Sequence, residues 1–380
     1  MLYLDNAATT LKKPLCVCRA MIYNTLNNSV NAGHGGHFYS IRGMKGIYES
    51  AEKIAELINV KNPERIAFTQ NATYALNMAI RGAVEKNDHI VTTCMDHNSV
   101  LRTAADLGNF TMVGADKTGY VTPENIERAI KPETKLIVMT HISNVSGTVE
   151  PVEAVGKIAK KHGILFMVDA AQSVGVKDID AEKLGADMLA FSAHKGLMGP
   201  LGVGVLYVSE NVDLKPVITG GTGVDSKNLI QPRTFPDMIH SGTMNTPAIM
   251  SCAAAADYLK KRGAENIGER ESELAMRFIE NIKNMDNIKV YGKTEKKGRS
   301  GIVSFNVGNI SSTEIAEILN DEYKICTRGG WHCAYPAHCA IGSGESGAVR
   351  VSFGAFDDGY ALDRITEAVY EISKRYKNKP

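Results

Sequence analysis

The stretch FMVDAAQSVGVKDIDAEKLGADMLAFSAHKG, Phe166 to Gly196, decides how this chain is read. Two short apolar runs, within ILFMVDAA and MLAFSAH, each end on chemically distinctive residues. Such runs, rich in Val, Ile, Leu and Phe and edged by Gly or Asp, read as strands buried on both faces. Asp169 then falls at the carboxyl end of one strand, and Lys195 just past the carboxyl end of the next, twenty-six residues on. That separation suits one strand–helix–strand unit, which would bring both side chains to one edge of a parallel sheet. Sheets of this kind bind ligands at the carboxyl ends of their strands.

Working outward, RIAFTQ (65–70), HIVTTCM (89–95), KLIVMTHIS (135–143) and VGVLYVS (203–209) read as further buried strands. Between them ATYALNMAIRGAV (72–84), TPENIERAI (122–130) and VEAVGKIAKKHG (152–163) read as helices, the last with a glycine where a helix stops. The alternation predicts an α/β class with a mostly parallel sheet covered on both faces. After about residue 245 the pattern changes to two long helices, PAIMSCAAAADYLKKRG and ENIGERESELAMRFIENIKNM, then IVSFNV, the helix STEIAEILNDE, the loop RGGWHCAYPAHCA (328–340), AVRVSFG and a last helix. This reads as a smaller α+β domain. The division expected is 15–250 for a large cofactor-binding domain, with 1–14 and 251–380 forming the small one. TGGTG (219–223) reads as a surface turn, because no strand–loop–helix pattern surrounds it.

The formal net charge is +1, from 43 basic and 42 acidic residues, which leaves no footprint for nucleic acid or an anionic membrane. No basic-then-apolar leader and no run of eighteen apolar residues is visible, so a cytoplasmic protein is expected. Seven scattered cysteines, at 16, 18, 94, 252, 326, 333 and 339, argue for free thiols. Cys333 and Cys339 lie near His332 and His338, but without a paired C-x2-C knuckle no metal is expected.

A lysine at the mouth of a parallel sheet can lose its proton and condense with an aldehyde. A carboxylate at Asp169 would be costly without a cationic partner. The pyridinium nitrogen of pyridoxal 5'-phosphate is such a partner, and Asp with an aldehyde-binding Lys is the recurring arrangement for that cofactor. Its phosphate needs a cradle. Asn71, Ala72 and Thr73 follow a strand and open a helix, so they would offer backbone N–H groups and a hydroxyl to an anion. Ser192 and His194, beside the lysine, would add donors.

LDNAATT, MDHNSV, SNVSGT, VDAAQS, SAHKG, SGTMNT and RGGWHCAYP…AVRVSFG, in that order from residue 4 to about 355, resemble the cysteine desulfurase and selenocysteine lyase family. The resemblance implies a class-V, fold-type I pyridoxal phosphate transferase with a seven-stranded, mostly parallel sheet. It implies that Lys195 binds the cofactor, Asp169 pairs with its ring nitrogen, Gln172 contacts its phenolic oxygen and His97 stacks on the ring. Thr73, Ser192 and His194 would hold the phosphate, joined by Gly242 and Thr243 from a neighbouring subunit, so a homodimer is implied. Asn144 and Arg350 would grip the substrate carboxylate, with His37 and Arg328 lining the pocket. Lys195 would take the Cα proton of L-cysteine, and Cys333 would attack the substrate sulfur, release alanine and hold a persulfide for an acceptor protein. An ordinary thiol titrates at ~8.5, so little is thiolate at neutral pH, and His332 or Arg328 nearby would raise that fraction. Gly329 and Gly330 would let the loop swing. Selenocysteine lyase, an aminotransferase and a non-catalytic cofactor-binding protein of sulfur trafficking stay open as alternatives. Trp331 and the extra thiols Cys326 and Cys339 depart from the family pattern.

Overall fold

The computed structural model describes residues 1–32 and 35–377. The chain opens with a short strand, β1 (Leu2–Tyr3), and two helices, α1 (Leu15–Asn27) and α2 (Phe38–Leu57). Next come β2 (Ile66–Thr69), α3 (Ala72–Ala83), β3 (His89–Thr93), α4 (Asn98–Leu107), β4 (Phe110–Val113), α5 (Pro123–Arg128), β5 (Thr134–Thr140), α6 (Val152–His162), β6 (Leu165–Asp169), β7 (Met188–Ser192) and β8 (Gly204–Val208). The remainder is α7 (Thr246–Arg262), α8 (Ala264–Ile282), β9 (Ile288–Tyr291), β10 (Ile302–Val307), α9 (Ser312–Asp321), β11 (Ile325–Cys326), α10 (Tyr335–Ile341), β12 (Val349–Ser352) and α11 (Gly359–Arg375).

Among the described residues, strands β2 to β8 form one seven-stranded sheet in the order β2-β8-β7-β6-β5-β3-β4. Strand β8 runs antiparallel to both of its neighbours, and the other pairings are parallel. Period-two alternation explains why these strands read as continuous apolar runs. Ile137, Met139, Phe166, Val168, Leu189 and Phe191 enter the core on one face. Leu136, Val138, Met167, Met188 and Ala190 enter the core on the other. Each of these side chains larger than alanine contributes roughly 1.5–3 kcal/mol by leaving water.

The unit that opened the sequence reading differs from expectation in one respect. No helix joins β6 to β7; Ala170–Asp187 is a run of turns. Gly175 sits there at φ +95°, and a Cβ on it would lie 2.1 Å from the carbonyl oxygen of Gly196. The left-handed backbone of Gly175 ends any helical run there and lets the turn pack directly on the lysine segment. Strand order and direction are unchanged, because β6 and β7 still pair parallel with Asp169 opposite Ala190.

A second core, around Phe278, Phe305, Val349, Val351 and Leu362, is covered by α8, α9 and α11 over the sheet β12-β10-β9. The N-terminus joins this part: Leu4 lies in its core, β1 pairs with β11, and Asp5 bridges to Ser352. Helix α7, by contrast, buries Ala248, Cys252, Ala255 and Leu259 in the large core.

Candidate active site

The carboxyl ends of β5, β6 and β7 and the start of α3 surround a cavity of about 230 Å³. Asn71, Ala72, Thr73, His97, Asn144, Asp169, Gln172, Ser192, His194 and Lys195 all line it, together with Leu76, Ser99, Thr140 and Ala171. The two residues that opened the reading therefore converge.

Asp169 ends β6 between Thr140 and Ala190, and its Oδ1 accepts from the N–H of Ala171 at 2.9 Å. Burial raises its pKa, while the Ala171 N–H and the Lys195 charge act against the rise. Burial pushes the Lys195 ammonium down to about 8; Asp169 opposes this, and the positive charges of Arg350 and Arg328 add to it. The lysine backbone is pinned by LDNAATT. Thr10 donates through Oγ1 to the Lys195 carbonyl at 2.8 Å, and its N–H donates to the His194 carbonyl at 3.0 Å. Lys13 donates to the same His194 carbonyl at 2.9 Å.

His97 caps α4, its Nδ1 accepting from the N–H of Ser99 at 3.1 Å. Burial, then the charges of Lys195 and Arg328, lower its pKa to about 4, so it is neutral with its proton on Nε2. Gln172 does not lie free in the cavity, because its Nε2 donates to the Ala7 carbonyl at 2.9 Å.

The expected phosphate cradle is the N-terminus of the twelve-residue helix α3. Asn71 caps it by accepting from the N–H of Tyr74, and the N–H of Ala72 donates to Ser192 Oγ at 2.9 Å. Gly204 makes the close packing possible: a Cβ there would sit 2.3 Å from the Asn71 carbonyl carbon. His194 Nδ1 is buried without a partner. An orphaned imidazole nitrogen beside a helix N-terminus suits an anion, and a buried lysine facing a buried carboxylate suits a cationic ring carrying an aldehyde. The donor set therefore fits pyridoxal phosphate.

Arg350 is 1% exposed. Its Nη2 meets Asp5 Oδ1 at 2.7 Å, its Nη1 donates to the Asn144 carbonyl at 3.0 Å, and its Nε has no partner. Sequence reading missed Asp5, although it stands inside LDNAATT. Arg328 bridges to Arg350 through the backbone and does not line the cavity. His37 is an exposed cap of α2 that accepts from the N–H of Ser40. Gly242 and Thr243 are exposed and face a separate cavity of about 270 Å³ with Phe68, His240 and Ile249. Within one chain, His37, Gly242 and Thr243 are thus not brought to the lysine. Asp96 was also missed. It is fully buried and accepts from Thr93 N, Thr93 Oγ1 and Thr140 N, which fastens the turn before His97 to β5.

The segment expected to swing is anchored. Tyr335–Ile341 is a helix, with Pro336 in its first turn. His332 and Cys333 both have positive φ, 49° and 58°. Left-handed backbone at residues other than glycine costs roughly 1–3 kcal/mol each, so the surroundings must hold it. The His332 carbonyl accepts from Asn144 Nδ2 at 2.8 Å, and the Cys333 carbonyl accepts from the N–H of Asn98 at 2.8 Å. Cys333 itself is exposed. Nor does His332 lend the thiol a charge: burial and the nearby Arg350 hold its pKa well below the usual value. No group of three or more metal-ligating His, Cys, Asp or Glu side chains occurs among the described residues.

Fold and site together define a pyridoxal phosphate enzyme of the class-V aminotransferase architecture. The aminotransferase class-V family model matches residues 2–365, and the chain belongs to that family. Within it the chain is a member of the cysteine desulfurase, or NifS-like, group. It is 35% identical to a probable cysteine desulfurase of Methanothermobacter thermautotrophicus, over 98% of this chain and 94% of that one. A probable cysteine desulfurase of Pyrococcus abyssi is also 35% identical, over 100% and 96%. The solved apo structure of the cysteine desulfurase from Thermococcus onnurineus NA1 superposes with a TM-score of 0.91 at 33% identity, covering 98% of this chain and 95% of that one.

Proposed function

We propose that the chain is a cysteine desulfurase that converts L-cysteine to L-alanine and carries the sulfur as a persulfide on Cys333. Substrate and Cys333 thiol go to alanine and Cys333 persulfide, so atoms and electrons balance with no outside oxidant or reductant. The observation that carries this reading is the shared cavity of Asp169, Lys195 and the α3 cradle, with the anchored Cys333 segment tied through Asn144 to the same wall.

When bound, pyridoxal phosphate supplies an electron-withdrawing ring that accepts the electron pair left at the substrate Cα. The chain's residues do the rest. Asp169 holds the ring nitrogen protonated. Lys195, with its lowered affinity for a proton, would hold the cofactor aldehyde and is placed to move the Cα proton. Neutral His97 would stack on the ring, and Gln172, one N–H of which is taken by the Ala7 carbonyl, would offer its other N–H to the phenolic oxygen. Asn71, Ala72, Thr73, Ser192 and His194 hold the phosphate. Arg350 and Asn144 orient the substrate carboxylate; Arg328 acts from behind Arg350, and His37 would reach the pocket only from a partner subunit. Cys333 attacks the substrate sulfur.

A homodimer is part of the proposal. Helices α1 and α2 expose Leu26 (78%), Phe38 (70%), Ile22 and Ile41, an apolar face unusual for a lone subunit. Exposed Gly242 and Thr243 would then complete the partner's phosphate site. The domain division is kept, with the junction moved from 250 to the α7–α8 turn at Gly263, because α7 packs in the large core. A protein sulfur acceptor and a cytoplasmic location complete the reading. No described helix is long and apolar enough to cross a membrane.

The test is alanine release from L-cysteine by the purified, cofactor-loaded protein, with Lys195→Ala as the control. Release by the wild type alone supports the reading. A coloured protein that yields no alanine would point instead to a cofactor-binding sensor.

A further inference from the structure

Behind Cys333 lies a hydrogen-bonded chain with no part in the reaction above. His332 Nε2 is 3.1 Å from the Arg328 carbonyl, and its Nδ1 is 3.1 Å from His338 Nε2. His338 Nδ1 is 2.8 Å from Ser343 Oγ. Both histidines are buried. A carbonyl oxygen only accepts, so His332 carries its proton on Nε2. Burial and the charge of Arg350 keep both rings neutral, with Arg328 also facing His332. His332 Nδ1 must then accept, His338 Nε2 must donate, and His338 Nδ1 must accept from the Ser343 hydroxyl. One pair of tautomers satisfies all four ring nitrogens, and the bonds run in one direction from Ser343 to the Arg328 carbonyl. That carbonyl also receives the N–H of Arg350 at 2.8 Å.

The chain therefore ties the strand carrying Arg350 to the residue before Cys333. The front of the segment is held separately, by Asn144 on the His332 carbonyl and by the N–H of Asn98 on the Cys333 carbonyl. We propose that His338, acting through His332 and oriented by Ser343, is a positioning residue that holds the His332–Cys333 backbone left-handed and presents the thiol at a set place instead of on a swinging loop. Gly329 fits this picture: a Cβ there would lie 2.4 Å from the Ser312 carbonyl oxygen, so the approach to the loop is packed and not loose. The inference rests on Cys333 being the sulfur acceptor, but its structural half can be tested without turnover.

Three cofactor-loaded variants test it: His338→Leu, His338→Gln, which keeps a donor toward His332, and Ser343→Ala, which frees the His338 ring to take the wrong tautomer. In His338→Leu, amide hydrogen exchange at Asn98 should quicken at least tenfold. Its kcat on L-cysteine should fall at least tenfold with KM and visible cofactor absorbance unchanged. His338→Gln should recover most of that loss, and Ser343→Ala should fall between. If His338→Leu does not fold, Ser343→Ala alone carries the test. Unchanged exchange at Asn98, or a kcat within twofold of wild type, overturns the proposal. So does a loss of kcat that comes with loss of bound cofactor, since that marks a merely structural role. A wild type that makes no alanine would sink the desulfurase reading while the exchange result still decides whether the clamp exists.

Discussion

The lowered proton affinity of Lys195 makes the capture of cofactor depend on pH in a way an ordinary lysine would not. The perturbation is pH itself, applied to protein stripped of cofactor and then mixed with pyridoxal phosphate. Only the free amine attacks an aldehyde. With the Lys195 pKa at about 8, ~9% of the amine is free at pH 7, against ~0.03% for a lysine at 10.5, a gain of roughly 300-fold. The capture rate should rise tenfold per pH unit up to about 8 and then level off. Burial is the main cause, so the plateau should survive high salt, which screens exposed charges far more than buried ones. The smaller causes fix two signs. Arg350→Met removes a positive charge and should move the break upward, whereas Asp169→Asn removes the opposing negative charge and should move it downward. Stopped-flow absorbance of the bound cofactor, with Lys195→Ala as blank, measures the rate. A rate still climbing tenfold per unit beyond pH 9.5, or a break unmoved in both variants, refutes the reasoning.

Asp169→Asn should also weaken equilibrium binding of the cofactor, read by absorbance titration. Removing one partner of a buried charge pair costs roughly 3–5 kcal/mol, a loss of at least a hundredfold. Gly204→Ala would place a Cβ 2.4 Å from the Asn71 carbonyl oxygen. It should lower stability by roughly 1–3 kcal/mol, visible in urea melts, and weaken inorganic phosphate as a competitor of the cofactor. Replacing Phe38 with Glu on the exposed α2 face should shift the sedimentation profile from dimer toward monomer while the melting temperature of the subunit changes little.

The strands were readable because both faces of β5, β6 and β7 are buried, which leaves an unbroken apolar run. Strand β4, FTMV, escaped notice because it lies at the sheet edge, with Phe110 only partly buried and Met112 exposed. Helix α1 escaped because its Leu15, Ile22 and Leu26 point outward and only Val17 and Asn24 are buried, so the helical period is faint. The placement of Asp169, Lys195 and the start of α3 around one cavity was legible because each stands at a strand end or a helix start. The Arg350–Asp5 pair was not, since its partners lie 345 residues apart and meet only because β1 joins the small domain. The Cys333 segment was misread for a local reason. Two glycines suggested looseness, yet Gly329 is a close-packing residue, and Pro336 in YPAHCA is the helix-start signal that was passed over. His332 and His338 are six residues apart and share no helical face in sequence. Their contact arises because His332 turns left-handed before α10 begins.

The central claim is that substrate sulfur passes to Cys333. A single-turnover reaction of the cofactor-loaded protein with L-cysteine, quenched, digested without reductant and weighed by mass spectrometry, addresses it directly. One added sulfur is expected on the peptide containing Cys333, in amount equal to the alanine formed, and no such gain in Cys333→Ala. Alanine released with that peptide unchanged, or sulfur found on Cys339 or Cys326 instead, would contradict it.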